Sequence, residues 1–312
     1  MRELPEGIVV AARGRHGVVT AEELAAHGLT RSRVYRAAGA GLLVRLGPQA
    51  YAIPGLLGPF SPAAALESHY PEVLCERRTA AALWGLDGFT PRGHADAVPL
   101  DLVRDGQRRC QRVPGRQRAL APGEVREVQG LRVTSVERTL FDLSTMAGVD
   151  ADVLELALES ALRAGHTTDA GLRALVDARG RPAARLRAVL ARRQPGAPPT
   201  GSYAETRFLQ TVARPLELED PERQVSVSIS GRPESYRVDF LFHRPRGRLA
   251  VEIDGAAWHG PNAPRDDHMR DHHLRMAGVQ ALHIEADRLE RKPATARAAV
   301  RRELALLSSP EP

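Results

Sequence analysis

The pattern of apolar and polar positions predicts a small helical unit at the start of the chain. Ile8–Ala12 are apolar and predict a first helix. Thr20, with Glu23 three residues later, has the sequence of a capping box and predicts the start of a second helix. Thr30 is placed to cap a third helix over about 31–38, and a glycine separates this helix from the second.

Two short apolar runs after the third helix predict a β-hairpin. They cover 43–46 and 50–53, on either side of a Gly-Pro turn. Three helices followed by a hairpin are typical of a winged helix-turn-helix, which we predict over 1–54. Its third helix suits a DNA groove, where phosphate contacts dominate affinity; an ordinary solvated helix face is the alternative. The residues assigned to DNA contact are Arg31, Arg33, Tyr35, Arg36 and Arg45.

The middle of the chain, 67–193, predicts a mixed region whose second half is helical. Residues 54–66 are rich in Pro, Gly and Ala and indicate a linker. Residues 78–85 predict a short helix, and 131–143 predict a strand that runs into a capped helix. From 150 to 193 the apolar residues have helical spacing, which indicates a scaffold.

A basic stretch lies inside this middle region. Its arginines are accompanied by one acid, Asp105. We favour a solvated loop, with a path along a phosphate backbone as the alternative. The arginines are Arg104, Arg108, Arg109, Arg112, Arg116 and Arg118.

The C-terminal segment, 202–312, predicts a mixed α/β domain. A Pro/Gly-rich stretch, 194–201, precedes it and indicates a domain boundary. The predicted order is helix, three strands, helix, strand, or αβββαβ. The elements are a helix from 202 to about 213, strands over 223–229, 236–243 and 249–254, a helix over about 267–277, and a strand over 279–284.

Carboxylates converge on the hairpin of this domain. Asp239 lies on its first strand among apolar residues, and Glu252 and Asp254, two positions apart, project from one face of its second strand. Carboxylates in apolar strands are unfavourable unless they are paired or bind a cation, and grouped oxygen ligands suit Mg²⁺ or Mn²⁺. We therefore predict a metal-dependent hydrolytic site with these three ligands. Glu205, three residues after Ser202, is placed either to complete a capping box or to join the site.

Two further residues are assigned to this site. His259 follows the hairpin and is placed as general acid or base, because imidazole titrates near neutral pH. Arg270 shares a helix face with Asp267 and is assigned to a phosphate group; an ion pair with Asp254 or Asp267 is the alternative.

The N-terminal sequence resembles a known family. His16–Ala25 and Leu43–Pro54 are similar to the winged-helix domain of AbiEi-family antitoxins, from type IV abortive-infection toxin–antitoxin systems. Residues 78–86 and 131–143 resemble the middle portion of larger AbiEi-like proteins. Proteins of that family bind promoter DNA and repress their own operon, so the resemblance implies a DNA reader. It makes a toxin protein a candidate partner without implying one.

The C-terminal segment resembles a second family. Its αβββαβ order, with Glu205, Asp239 and Glu252 on the first helix and the second and third strands, is similar to the PD-(D/E)XK nuclease core. The segments 238–241 and 250–259, with the following helix, resemble the Vsr-like endonucleases. The resemblance implies Mg²⁺-dependent hydrolysis of DNA phosphodiesters.

One position departs from the general nuclease pattern. The general family has lysine two residues after its glutamate, where this chain has Asp254, and Lys292 is the only lysine in the sequence. Vsr-like members use a histidine shortly after the third strand, and His259 fills that position.

Composition limits the remaining choices. With 312 residues and 43% hydrophobic content the chain can bury sizeable cores, which predicts about two or three domains. The net charge of +6 fits a polyanionic partner such as DNA. Cys75 and Cys110 lack metal-type spacing and indicate a reducing compartment. His268 and His272, at i and i+4, have no evident third zinc ligand. With no signal-peptide pattern and no apolar run near the roughly 20 residues of a membrane span, we predict a cytoplasmic protein without membrane contact.

Two classes of function remain. The first is a metal-dependent DNA endonuclease guided by a winged helix, in phage defence or DNA repair. The second is a DNA-binding regulator or antitoxin whose nuclease-like domain has lost catalysis. We favour the first, because an inactive domain gains stability by losing unpaired buried acids.

Overall fold

The structure is a computed structural model of helices and mixed sheets. It describes residues 3–91, 98, 100–105, 116–229, 235–255 and 263–308. The predicted mixed α/β, multidomain architecture is confirmed in this coarse form. None of the described helices combines the length and the apolar character that crossing a membrane requires.

Contacts group the chain into two compact units. The first is Met1–Asp150 with Arg179–Leu186, and the second is Ala151–Ala178 with Arg187–Pro312. The sequence predicts three domains, over 1–54, 67–193 and 202–312. This division into domains stays a prediction.

The N-terminal elements of the first unit form a winged helix. They are α1 (Glu6–Arg13), β1 (Val18–Thr20), α2 (Ala21–Ala26), α3 (Arg31–Gly39), β2 (Val44–Arg45) and β3 (Ala50–Ala52). The three helices and the predicted hairpin are therefore present. The sequence did not predict β1, which pairs with β3 and completes a sheet of order β1-β3-β2. A core that includes Ile8, Leu24, Val34 and Leu43 holds the helices against this sheet.

The helix caps follow the sequence in part. The capping box of α2 is confirmed, because the Thr20 hydroxyl accepts from the Glu23 N–H and the Glu23 carboxylate accepts from the Thr20 N–H. Thr30 precedes α3, but within the described chain its hydroxyl contacts the Ser32 hydroxyl at 3.1 Å and makes no cap bond.

The predicted linker over 54–66 was wrong in its second half. Helix α4 (Ser61–His69) begins there, with a proline in its first turn, where the missing N–H removes no helical hydrogen bond. Its Ala63–Ala65 are buried in a core shared with Val18 and Phe60. Small residues that resemble a linker in sequence are here the ones that permit close packing.

A second sheet completes the first unit. Its elements are β4 (Val73–Cys75), α5 (Arg77–Leu83), β5 (Leu102–Asp105), β6 (Arg116–Arg118), β7 (Val125–Val128), β8 (Leu131–Thr134) and α6 (Val136–Ser144). The strand order is β6-β5-β4-β8-β7. The predicted helix after residue 77 and the predicted strand-to-helix step at 131–143 are confirmed, and the Ser135 hydroxyl caps α6 by accepting from the Arg138 N–H.

The loop prediction for the basic stretch was wrong at both ends. Arg104 is buried in β5, opposite Val73 of β4, and 116–118 form β6. A strand that pairs in the interior of a sheet can carry a charged residue that local sequence places in solvent. Residues 106–115, with the other arginines of the stretch, lie outside the described residues.

The second unit contains the predicted αβββαβ order. Its elements are α7 (Ala151–Arg163), α8 (Asp169–Arg179), α9 (Ala184–Leu190), α10 (Tyr203–Phe208), β9 (Glu222–Ser228), β10 (Ser235–Arg244), β11 (Gly247–Asp254), α11 (Ala263–Met276), β12 (Val279–Glu285), α12 (Ala286–Arg291) and α13 (Pro293–Ser308). The strand order is β12-β11-β10-β9, with β12 parallel to β11 and the other pairs antiparallel. Membership of the PD-(D/E)XK group stays a prediction.

Two apolar layers cover the faces of this sheet. One includes Phe208 of α10, Phe240 and Val251. The other includes Leu274 of α11 and Ala250.

A buried ion cluster joins α7 to β9. The Glu159 carboxylate lies 2.8 Å from a guanidinium nitrogen of Arg193 and 3.0 Å from one of Arg223, and the three side chains are 2 to 3% exposed. Glu159 also accepts from the Thr200 N–H at 3.1 Å. Two buried guanidinium groups thus share the Glu159 carboxylate, and each also meets a second acid: Asp169 lies 3.2 Å from Arg193, and Asp220 lies 3.2 Å from Arg223. Helix α7 is therefore bound to the sheet of the second unit through charge as well as packing.

Removal of that central charge is expected to destabilise the second unit strongly. Glu159→Gln removes the carboxylate that the two buried guanidinium groups share and leaves Arg193 with Asp169 and Arg223 with Asp220. Breaking a buried pair costs about 3–5 kcal/mol. Denaturant unfolding followed by a signal from the second unit measures the effect. The matched control is Glu285→Gln, which opens an exposed pair with Arg288 and should change stability by less than about 1 kcal/mol. Equal effects of the two variants would contradict the role of the cluster.

Candidate functional site

Helix α3 presents basic residues on its outer face. Val34 and Ala37 are buried, while Arg31, Arg33 and Arg36 are exposed. The alternation follows the helical repeat, because the two buried positions are three residues apart. The exposed side of the helix therefore carries three arginines that the core does not use.

An aromatic residue and the wing extend this face. Tyr35 is 82% exposed, which is unusual for a large ring with apolar surface. Arg45, on β2, is exposed, and its Nε donates to the Gly47 carbonyl at 3.0 Å, so the guanidinium lies over the wing turn. All residues predicted for DNA contact lie at the surface; the contact itself stays a prediction.

In the second unit, polar residues form a row across the four strands. Glu252 of β11 pairs with His283 of β12. Asp239 of β10 precedes Phe240, whose partner on β11 is Val251, so Asp239 and Glu252 face each other on neighbouring strands. On the other side, Gln224 of β9 occupies the position opposite Asp239.

The strand ladder is interrupted at this row. Val225 pairs with Val238 and Arg223 with Phe240, but the positions between them, Gln224 and Asp239, do not pair. Val238 and Phe240 pack into opposite layers, although residues two apart on a regular strand share a face. The interruption therefore turns β10 over and brings Asp239 to the border between the layers.

The Asp239 side chain replaces the missing strand contact. Its Oδ2 accepts from the Ile253 N–H at 2.9 Å. The Gln224 amide donates to Asp239 Oδ1 at 3.4 Å and to Glu205 Oε2 at 2.6 Å. Glu205 also accepts from the Gly201 N–H at 2.6 Å, while Ser202 caps α10. Glu205 therefore stabilises the start of α10 through its bond with Gly201, and it also lies beside Asp239.

Glu252 is the most buried of the predicted ligands. The residue is 7% exposed, and its Oε2 lies 2.7 Å from Arg270 Nη2. Its Oε1 has no hydrogen-bond partner among the described residues. The predicted alternatives for Arg270, pairs with Asp254 or Asp267, were therefore wrong about Asp254; the Asp267 side chain lies outside the described part. The packing of α11 against β11 decides which acid pairs with Arg270. Sequence spacing does not reveal this packing.

Asp254 takes part in a second cluster. Its carboxylate lies 3.3 Å from His283 Nδ1, and Asp271 of α11 lies 3.1 Å from His283 Nε2. An imidazole held between two carboxylates favours its protonated form. The Asp254 carboxylate, which was predicted as the third metal ligand, is thus in contact with His283.

Burial and neighbouring acids shift the protonation of the site. Burial raises the pKa of Glu252 to about 7, with Asp239 and Asp254 adding to the rise and Arg270 and His283 opposing it. Burial, and then the charge of Asp239, also raises the pKa of Glu205. Burial alone lowers the pKa of His283, but the hydrogen bonds and charges of Asp271 and Asp254 outweigh it and raise that pKa.

Two carboxylates of the row fit a divalent cation. Glu252 Oε1 is buried without a partner in the described chain, and Asp239 Oδ1 has only the 3.4 Å contact with Gln224. Mg²⁺ is commonly held by one or two carboxylates with several waters, so this pair suits it. Across the described residues, no group of three or more His, Cys, Asp or Glu is arranged to hold a metal. Asp254 as a third ligand stays a prediction.

Sequence reasoning missed part of this arrangement. Gln224, His283 and Asp271 are site neighbours that were not predicted. The available signal was a polar residue in each of two apolar strands, but the register that aligns them is not visible in sequence. His259 lies outside the described residues, so its role stays a prediction, and His268 and His272 are exposed on α11.

Comparison with known proteins bears on the N-terminal part. Residues 10–54 match the family described as a transcriptional regulator, AbiEi antitoxin. No curated protein matches the chain. The AbiEi-like segment, residues 10–54, contains every residue predicted for DNA contact. The further resemblances, to the middle of larger AbiEi-like proteins and to Vsr-like nucleases, stay predictions.

The raised pKa of Glu252 predicts a pH dependence for the metal-free protein. The folded chain holds this proton more tightly than the unfolded chain, so the stabilisation is complete below pH 4.5 and is lost as pH rises through about 7. The loss amounts to at most about 3 kcal/mol. Glu252→Gln should flatten the fall of unfolding free energy between pH 4.5 and 8, measured by urea titration in EDTA. The exposed control Glu219→Gln should retain the wild-type slope, and an equal slope for both variants would contradict the shift.

Proposed function

We propose that this protein binds duplex DNA through its AbiEi-like segment and hydrolyses DNA phosphodiesters with Mg²⁺ at Asp239 and Glu252. The observation that carries the catalytic part is the unpartnered Oε1 of buried Glu252 beside Asp239. A buried acceptor without a donor is unfavourable, and a cation satisfies it.

The DNA-binding part rests on charge, exposure and similarity. Arg31, Arg33 and Arg36 lie on the exposed side of α3, and Tyr35 adds an exposed ring able to pack on a sugar or base. Arginines on such a face neutralise phosphates, which supply most of the salt-dependent affinity for DNA. The family matched by this segment is described as a transcriptional regulator, which fits a DNA reader.

The side chains around the carboxylates suggest their roles in hydrolysis. Asp239 and Glu252 would hold Mg²⁺, which supplies polarisation of the phosphate and acidification of a water. Arg270 keeps Glu252 oriented through Nη2, which also donates to the Arg237 carbonyl. A contact of Arg270 with a phosphate group stays a prediction. His259 remains the predicted general acid or base.

A DNA-binding regulator or antitoxin without cleavage is the second candidate. The ion pair of Arg270 with Glu252 favours it, because this pair supplies a counter-charge for the buried acid without any metal. On that basis the row would be structural, and a toxin protein would be the candidate partner of the chain. Both candidates share the DNA-binding segment. Incubation with plasmid and linear DNA in Mg²⁺, Mn²⁺ or EDTA separates them.

Loss of two arginines from α3 is expected to weaken duplex binding and its salt dependence. Arg33→Ala with Arg36→Ala neutralises two fewer phosphates, so the slope of log K against log salt should fall by about 2. Fluorescence anisotropy of a labelled duplex at several salt concentrations measures it. The control, Arg13→Ala with Arg126→Ala, removes the same charge from exposed positions elsewhere in the first unit. If the control lowers the slope equally, the α3 face has no special role.

Neutralisation of Asp239 is expected to abolish cleavage. Asp239→Asn removes a ligand charge with little change of shape, so Mg²⁺-dependent nicking and the Mg²⁺-induced rise in unfolding temperature should both disappear, while duplex binding persists. Asp287→Asn, at an exposed carboxylate on α12, should behave as wild type. Equal cleavage by wild type and Asp239→Asn would place any nuclease activity elsewhere.

A further inference from the structure

The backbone of Gln224 is strained within strand β9. Its φ is +53°, and of the described non-glycine residues with positive φ, it alone lies within a strand. Such a conformation is unfavourable by about 1 kcal/mol or more for a residue with a Cβ, and it persists only where the surroundings enforce it. Glycine would remove the strain without loss of the backbone path.

The strained backbone places the Gln224 side chain between two carboxylates. The Gln224 amide donates to Glu205 at 2.6 Å and lies 3.4 Å from Asp239, so one neutral donor stands between two carboxylates. Gly201 completes the arrangement, because a Cβ there would lie 2.7 Å from Glu205 Oε1 and 3.0 Å from the Gln224 amide nitrogen. The positive φ of Gln224 and the absence of a side chain at Gly201 therefore both serve the same hydrogen bond.

A regular strand could not place the amide there. In the regular conformation Gln224 and Asp239 would pair through their backbones, and the ladder would continue between Val225 and Arg223. The positive φ removes that pairing and turns the side chain toward α10. The long contact to Asp239 leaves Oδ1 open, whereas the short one fixes Glu205.

We infer that Gln224 is a positioning residue for a divalent cation: it holds the Glu205 carboxylate beside Asp239, as an outer ligand acting through water. This inference rests on the proposed binding of the cation by Asp239 and Glu252. Partners outside the inner ligands commonly change metal affinity or activity by about 10- to 100-fold when removed.

Two substitutions separate positioning from a structural role. Gln224→Met keeps the side-chain length and the strained backbone but has no donor, whereas Gln224→Gly removes both the donor and the strain. Each should bind Mn²⁺ about 10- to 100-fold more weakly than wild type, measured on the full chain by calorimetry or Mn²⁺ spectroscopy. The glycine variant should nevertheless unfold at a higher temperature than the methionine variant.

A matched control makes the same change elsewhere in the sheet. Gln280 of β12 donates to Glu303 away from the row, so Gln280→Met should leave Mn²⁺ affinity unchanged. Wild-type affinity in both Gln224 variants, or an affinity that follows unfolding temperature, would overturn the inference.

The outcomes also separate this inference from the proposed function. Mn²⁺ binding that depends on Asp239 and Gln224, without DNA cleavage, would support the positioning role and reject catalysis. Wild-type protein that binds no Mn²⁺ would overturn both. Cleavage with Gln224-independent Mn²⁺ binding would support the proposed function and reject only the role of Gln224.

Discussion

A carboxylate buried in the middle of a sheet requires a positive neighbour, and this requirement organises the second unit. Glu252 is 7% exposed, and Arg270 of α11 supplies the charge at 2.7 Å. The pair fixes the rotation of α11 about its axis, which also places Leu274 in the apolar layer and Asp271 against His283. Since an isolated buried charge is strongly unfavourable, the ion pair and the helix packing depend on each other.

The sheet is irregular where this row of polar residues crosses it. The positive φ of Gln224 interrupts the ladder at Asp239, yet Asp239 restores one hydrogen bond by accepting from the Ile253 N–H. The apolar side chains on either side, Val238 and Phe240, are divided between two layers. Strain and like charges are tolerated because these layers hold the strands in place, which is a common arrangement at functional sites.

The two candidate sites have opposite electrostatic character. The AbiEi-like segment displays exposed arginines, whose attraction for a polyanion is long-ranged and reduced by salt. The carboxylate row carries acids, only part of whose charge is offset by Arg270, so a bound cation would favour the approach of a phosphate. Proposed metal dependence and proposed DNA binding are thus linked by one requirement of charge balance.

The sequence by itself determined the local elements and the chemistry available to them. Helix starts at Thr20 and Ser135, the hairpin of the wing and the αβββαβ order all follow from residues close together in the chain, since caps and periodicity are short-range effects. Only the tertiary structure decided which side chains meet. The partner of Arg270, the alignment of Gln224 with Asp239, and the burial of α4 depend on register and helix rotation, which are set by contacts between distant segments. A one-residue change in the register of one strand would place the polar residue of that strand on the other face, and no local pattern excludes it.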